Sequence, residues 1–179
     1  MRKRERLKRL KSGNPLNEYL EGLIAKYRTR GVLIDTNLLI LYFVGEFSPE
    51  RIPTLRRTKK FVLRDYLLLK AFFDQFAVKV TTPNILTEIS NLAGDIPDGL
   101  RKNFFRSLQT NFELFDEQYR RSSAAAASAI FPRLGLTDAV IAELANQRYL
   151  VLTDDFPLAN YLGSINTDVI NFNHLRSLS

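Results

Sequence analysis

The stretch GVLIDTNLL, residues 31–39, sets three large aliphatic residues directly against a carboxylate, Asp35, before apolar character resumes at Leu38. Val32 to Ile34 read as a strand buried on both faces, the pattern of a parallel sheet covered by helices. An ionised group carried toward such an interior costs several kcal/mol unless it is paired, or it gives up its charge. Asp35 therefore either has a partner or stands at the open end of the strand, facing something positive.

Reading outward, strands and helices alternate. On the N-terminal side, Asn14 is a good helix cap and Pro15 suits a first helical position. Leu16, Leu20, Leu23, Ile24 and Tyr27 then keep helical spacing up to Gly31. On the C-terminal side an apolar helix near 38–44 is followed by a polar, Pro-containing loop over 45–60, which reads as an insertion or mobile segment. A helix is expected within 61–76, a strand in VKVTT (78–82), and a helix opening at Pro83. DIPDG breaks the chain before another helix near 100–112, and ELFDEQ (113–118) is a short extended piece. The Ala-rich run 120–136 reads as mostly helical. TDAVIAELANQR is a helix with Thr137 as its cap, YLVLT (149–153) a buried strand, DDFPLANYL a turn into a short helix, and DVINF a last strand. This alternation argues an α/β fold, a three-layer α/β/α sandwich around a central parallel sheet. The organisation expected is a basic arm and amphipathic helix over residues 1–30 and one domain over 31–179.

The composition narrows the function classes. With 179 residues, 45% of them hydrophobic and 25% charged, the chain has the make-up of one globular domain with an appendage. Its apolar runs are shorter than the ~20 residues that span a bilayer, so no membrane segment is expected. The positively charged start has no apolar run behind it, which argues against a secretory signal. Cysteine is absent, which rules out a disulfide scaffold, thiolate metal sites and a cysteine nucleophile, and fits a cytoplasmic protein. The formal charge of +7 is concentrated: Arg2, Lys3, Arg4, Arg6, Lys8, Arg9 and Lys11 stand against Glu5 alone, leaving +1 for the remaining 168 residues. A cationic arm on a nearly neutral body points to polyanion contact, and RNA or DNA is the usual polyanion; a solvated tail is the alternative.

The acids fall in a pattern. In a doubly wound sheet, ligands bind beyond the carboxyl ends of the strands. Asp35 follows the first strand there, Asp154 and Asp155 follow YLVLT, Asp138 lies in the first turn of the preceding helix, and Glu88 lies a turn into the helix after VKVTT. Each has a plain reading as well: Asp35, Asp154 and Asp155 as caps or turn acids, Asp138 as a dipole-favoured first-turn residue, Glu88 as a surface position. Their joint placement favours one site. Two carboxylates ~4 Å apart repel by ~4 kcal/mol at an effective dielectric of about 20, so a cluster needs protonation or a cation between its members. Oxygen-only donors suit Mg²⁺ or Mn²⁺, ions that bridge to phosphate oxygens and activate water for phosphodiester hydrolysis.

With LIDTN, ILTEI, LTDAVIAELA and VLTDDF in this order, the chain resembles the PIN domain, the nuclease family that includes the toxin ribonucleases of VapC-like toxin–antitoxin pairs. The resemblance spans roughly 31–173. It implies a divalent-metal-dependent endoribonuclease leaving 5′-phosphate and 3′-hydroxyl ends, with Asp35, Asp138 and Asp155 as metal ligands and Glu88 as ligand or orienter of the attacking water. Thr153 is then a neighbour of the water at the ion, Asp154 an accessory, and Asn37 the small polar residue beside the first acid. RNA is the implied partner, and an antitoxin protein and a homodimer are further options. The segment before the first strand and the long 45–80 region depart from the small toxins of the family and leave an RNA-processing role open beside the toxin one. A haloacid-dehalogenase-like phosphatase would need a second Asp where Asn37 stands, and a receiver domain would keep its acidic pair near the first strand. A PIN-like binding module without catalysis is the remaining alternative. His174, the only histidine, reads as a packed or capping residue.

Overall fold

In the computed structural model, residues 15–146 and 148–178 are described. The elements run α1 (Pro15–Tyr27), β1 (Val32–Ile34), α2 (Thr36–Phe47), a 3₁₀ turn (Pro49–Arg51), α3 (Leu63–Phe73), β2 (Lys79–Thr81), α4 (Pro83–Asn91), a 3₁₀ turn (Leu92–Asp95) and α5 (Asp98–Phe112). They continue with β3 (Asp116–Glu117), α6 (Ser122–Ala126), α7 (Phe131–Leu134), α8 (Leu136–Ala145), β4 (Leu150–Thr153), α9 (Phe156–Ser164), β5 (Val169–Asn171) and α10 (Phe172–Leu178). The five strands form one sheet in the order β3-β2-β1-β4-β5, every neighbouring pair parallel. Helices cover both faces, giving the three-layer α/β/α sandwich.

β1 lies at the centre, with Leu33 level with Val80 of β2 on one side and Val151 of β4 on the other. Val32, Leu33 and Ile34 are wholly buried, as a strand covered on both faces requires. The chain winds from β1 through β2 to β3 in one direction and returns to place β4 and β5 on the other side. The order therefore reverses between β1 and β4, and such a switch point opens a crevice at the carboxyl ends of the two strands. Asp35 and Asp155 follow those two strands.

α2 is apolar all round because it lies inside the molecule. Leu38 to Val44 are buried without interruption, and Gly45 extends the run. Tyr42 meets Phe73 with ring centroids 4.9 Å apart, and Phe43 meets Phe112 and Phe115 at 5.7 and 5.6 Å. At Gly45 a Cβ would lie 2.1 Å from the Tyr66 ring, so glycine is what lets α3 close on α2. α1 joins the same core through Leu20, Leu23 and Tyr27, and is tied down where Tyr27 and Lys26 donate to Asp168 at 2.8 and 2.6 Å. The helix placed with the arm by sequence is thus packed on the domain, while Leu16, on the same predicted stripe, stays 39% exposed.

Two local expectations differ, and a third, the mostly helical Ala-rich run, holds in finer form. The segment expected as a loop is shorter, since α2 runs to Phe47, and it is a series of turns pinned into the core by Ile52, Leu55 and Phe61. The Thr58 hydroxyl donates to the Ile52 carbonyl at 2.7 Å within it. The Ala-rich run is two short helices with a turn between them. The cap of α8 is Gly135, at φ +87°, so Thr137 falls inside the first turn and its hydroxyl serves another partner. Asn14 and the cationic residues Arg2 to Lys11 lie outside the described residues. Among the described residues, no helix is long and apolar enough to cross a membrane.

Candidate active site

The sequence delivers acids to the crevice through four different local devices. Asp35 leaves β1 and becomes the residue before α2: its N–H donates to Leu152 of β4 at 3.0 Å and its carbonyl accepts from Leu39, also at 3.0 Å. Its carboxylate makes no well-formed capping bond to α2, although the Asn37 N–H in the first turn of α2 favours its charged form. The carboxylate is instead only 5% exposed and accepts from the Thr153 hydroxyl at 2.6 Å. Asp155 caps α9, accepting from the Leu158 N–H at 3.0 Å, while its own N–H donates to the Thr153 hydroxyl at 2.9 Å. Thr153 therefore links the ends of β1 and β4 through one buried oxygen.

Asp138 is carried by α8. Gly135 takes a φ that side-chain-bearing residues rarely adopt, turning the chain from α7 into α8 so that the first turn of α8 faces the crevice. Glu88, on α4, accepts from the Thr137 hydroxyl at 2.6 Å, and Arg57 from the segment after α2 lies 3.6 Å from its second oxygen.

Asp35, Glu88, Asp138 and Asp155 line one cavity of about 340 Å³, together with Thr36, Asn37, Arg57 and the 134–137 turn. The sequence-assigned acids are thus brought together by four elements. Their proximity is electrostatic as well as spatial. Burial pushes the Asp138 carboxyl up to about 7, with the charges of Asp35, Asp155 and Glu88 adding to it. Burial likewise raises Asp35 to about 6; the Thr153 hydroxyl opposes that rise, and the charges of Asp154 and Asp155 reinforce it.

Asp154 has a different place. It is buried outside the cavity lining, where it pairs with Lys60 and accepts from the Asn37 side-chain amide at 3.2 Å. Asn37 thus lines the cavity and also braces Asp154. The Asn173 amide donates to the Asp154 carbonyl at 3.0 Å, so the turn after β4 is held from three sides. His174 lies in α10, its ring 6.2 Å from that of Phe156, away from the cavity-lining set.

Three contributors have no site role in the sequence reading. Arg57 was hidden in a polar segment taken for an insertion, although the run RRTKK at 56–60 was a visible charge signal. Gly135 and Thr137, which aim α8 and hold Glu88, were visible only as a helix start.

Among the described residues, no three His, Cys, Asp or Glu side chains are drawn together closely enough to hold a metal ion. Asp35, Asp155 and Glu88 are each engaged by a hydroxyl or N–H donor, and like charges keep their distance when nothing positive separates them. The donor chemistry nevertheless fits a hard divalent cation. It is all oxygen, and two of its acids have affinities for a proton raised by burial and neighbouring charge, a state that a cation relieves. Asp35, Asp138 and Asp155 are the residues that would hold such an ion, with Glu88 at its margin. No protein-family model matches the chain, and no curated protein matches it.

Proposed function

We propose that this chain is a divalent-metal-dependent endoribonuclease of the PIN type, hydrolysing RNA phosphodiester bonds to 5′-phosphate and 3′-hydroxyl ends. The observation that carries the reading is the meeting of Asp35, Glu88, Asp138 and Asp155 around one cavity at the switch point of a parallel sheet. A Mg²⁺ or Mn²⁺ bound there would supply charge neutralisation at the scissile phosphate and a more acidic attacking water. The protein's own groups do the rest. Thr153 fixes the Asp35 carboxylate at the end of β1, Thr137 fixes Glu88, and the α9 N-terminus fixes Asp155, so the acids stay placed through turnover. Glu88, which lines the same cavity from α4, serves as a further ligand or as the orienter of the attacking water. The leaving 3′-oxygen takes its proton from solvent, since an Asp138 that holds the ion is kept deprotonated by it.

RNA captured by the cationic arm, a cytoplasmic location, and pairing with an antitoxin or with a second copy belong to the same proposal. The deciding experiment is incubation of a labelled single-stranded RNA with the purified chain in Mg²⁺ or Mn²⁺. Cleavage is expected to yield 5′-phosphorylated fragments, to stop in excess EDTA and to fall by at least about 10²-fold in Asp35→Asn. Cleavage at the wild-type rate by that variant, or undiminished cleavage in EDTA, would overturn the reading. RNA binding without any cleavage would favour a silent PIN-like module.

A further inference from the structure

Eleven residues line the acidic cavity, and one of them is a cation, Arg57. We infer that Arg57 is a phosphate-binding residue of this site: its guanidinium takes the non-bridging oxygens of the phosphodiester that the acids and their cation address. The inference rests on the nuclease reading for the identity of the phosphate.

Arg57 is supplied by the segment between α2 and α3, and the segment is fixed on both sides of it. Ile52, Leu55 and Phe61 are buried anchors, and Lys60 pairs with the buried Asp154. The chain thus holds Arg57 over the cavity without relying on the Arg57 side chain itself. That side chain is 34% exposed, and its ion pair to Glu88 is 3.6 Å long. A charge-assisted hydrogen bond is about 2.7–2.9 Å, so this is an attraction across a gap and leaves the guanidinium donors uncommitted to Glu88. Glu88 meanwhile takes its short bond, 2.6 Å, from Thr137. A structural salt bridge would have the reverse arrangement, with the guanidinium fork closed on the carboxylate.

The chemistry of the site calls for such a group. A phosphodiester entering a cavity walled by four carboxylates is repelled, and a cation among the acids offsets the acids before it offsets the substrate. The planar guanidinium offers two parallel N–H donors to the two non-bridging oxygens, and it remains protonated throughout. In the reaction, the water oxygen forms a bond to phosphorus and gives one proton to solvent, its other hydrogen stays on the new 5′-phosphate until that group ionises, and the P–O3′ bond breaks as O3′ takes a proton from solvent. Arg57 gains and loses nothing and stabilises the charge that builds on the non-bridging oxygens.

The test compares wild type, Arg57→Ala, Arg57→Lys and Arg56→Ala in two arms. In the first, single-turnover cleavage of saturating single-stranded RNA is followed in Mg²⁺. Arg57→Ala is expected to lose about 10²-fold in rate, with partial recovery in Arg57→Lys and on adding millimolar guanidinium, and Arg56→Ala is expected to cleave like wild type. Because removing a cation beside the acids strengthens cation binding there, raising Mg²⁺ should not restore the loss. Restoration by Mg²⁺ alone would overturn the assignment, as would a wild-type rate in Arg57→Ala. In the second arm, affinity for the same RNA is measured in Mg²⁺ in an Asp35→Asn background, where cleavage is slow, with and without the Arg57 substitutions, and folding is checked by thermal melting. Arg57→Ala is expected to bind about tenfold more weakly at an unchanged melting temperature. Equal affinity overturns the proposal. If wild type cleaves no RNA, the nuclease reading fails in the first arm, and the second arm still decides whether Arg57 holds phosphate.

Discussion

Asp35 shows how one carboxylate carries opposite costs for stability and function. Its folded proton affinity, at about 6, and that of Asp138, at about 7, lie above the ordinary value of 3.8. The folded protein therefore holds more protons than the unfolded chain between roughly pH 4 and 7, and without metal it loses stability as pH rises through that window. Asp35→Asn keeps an acceptor for the Thr153 hydroxyl and removes a charge from the cluster. The metal-free variant is expected to melt higher than wild type at pH 7.5, with the difference shrinking toward pH 5; a variant melting lower than wild type at pH 7.5 and higher at pH 5 would contradict this sign. Thr153→Val tests the opposing contribution. Losing the hydroxyl removes the larger of the two hydrogen bonds that hold the Asp35 carboxyl down, so the acid limb of the cleavage–pH profile is expected to move to higher pH, with activity recovering above it. The Asp155 N–H also loses its acceptor, at a cost of about 1–3 kcal/mol. An acid limb that stays in place would show that Thr153 does not act through Asp35. The sequence made both residues conspicuous, because a threonine and an aspartate each terminate an apolar strand. It could not show that they bond to each other 118 positions apart.

At the scale of elements, the strands and long helices were readable because their signals are local. β1 and the first three residues of β4 are aliphatic, and α4 and α9 each carry a Pro in the first turn after a capping side chain that makes its bond, Thr82 to the Ile85 N–H and Asp155 to the Leu158 N–H. What escaped depends on tertiary context. The start of α8 was misplaced because Thr137 is a better cap by residue type than Gly135, yet the chain needs a positive φ there to leave α7. The segment after α2 looked like a polar loop because its anchors, Ile52, Leu55 and Phe61, are spaced without period, and only packing reveals that they are buried. Gly45 is a further case: nothing near it in sequence says that a ring from Tyr66 occupies the space of its missing Cβ. Tyr66 is held there by its hydroxyl's 2.6 Å bond to Glu46, so the ring cannot simply swing aside. Gly45→Ala is expected to destabilise the fold by about 1–3 kcal/mol or more through overpacking, outweighing the better helix propensity of alanine. Chemical denaturation measures it, and a neutral or stabilising result would mean that α3 yields more easily than its contacts imply. α3 leads back to the segment bearing Arg57, so cleavage should fall with the same substitution.

For the whole molecule, the decisive asymmetry is between a cavity that repels phosphate and an arm that attracts it. Four carboxylates face the crevice, while the chain outside residues 1–11 has a net charge of only +1. Under the nuclease proposal, long-range attraction for RNA would come mainly from Arg2, Lys3, Arg4, Arg6, Lys8, Arg9 and Lys11, whose net contribution with Glu5 is +6. Contacts of this kind are made to phosphates, so they add affinity without reading bases. Each one lost should lower the log–log salt slope of binding by ~0.7 on single strands. Deleting residues 1–11 is therefore expected to raise the dissociation constant for RNA, to flatten its salt dependence and to leave the choice of cleavage position unchanged. The fold should survive, since the core begins with Leu20, Leu23 and Tyr27 of α1. Titrations of full-length and truncated protein at several salt concentrations measure both affinity and slope. Equal affinities with equal slopes would mean that the arm takes no part in capturing RNA, and a changed cleavage pattern would mean that it reads sequence.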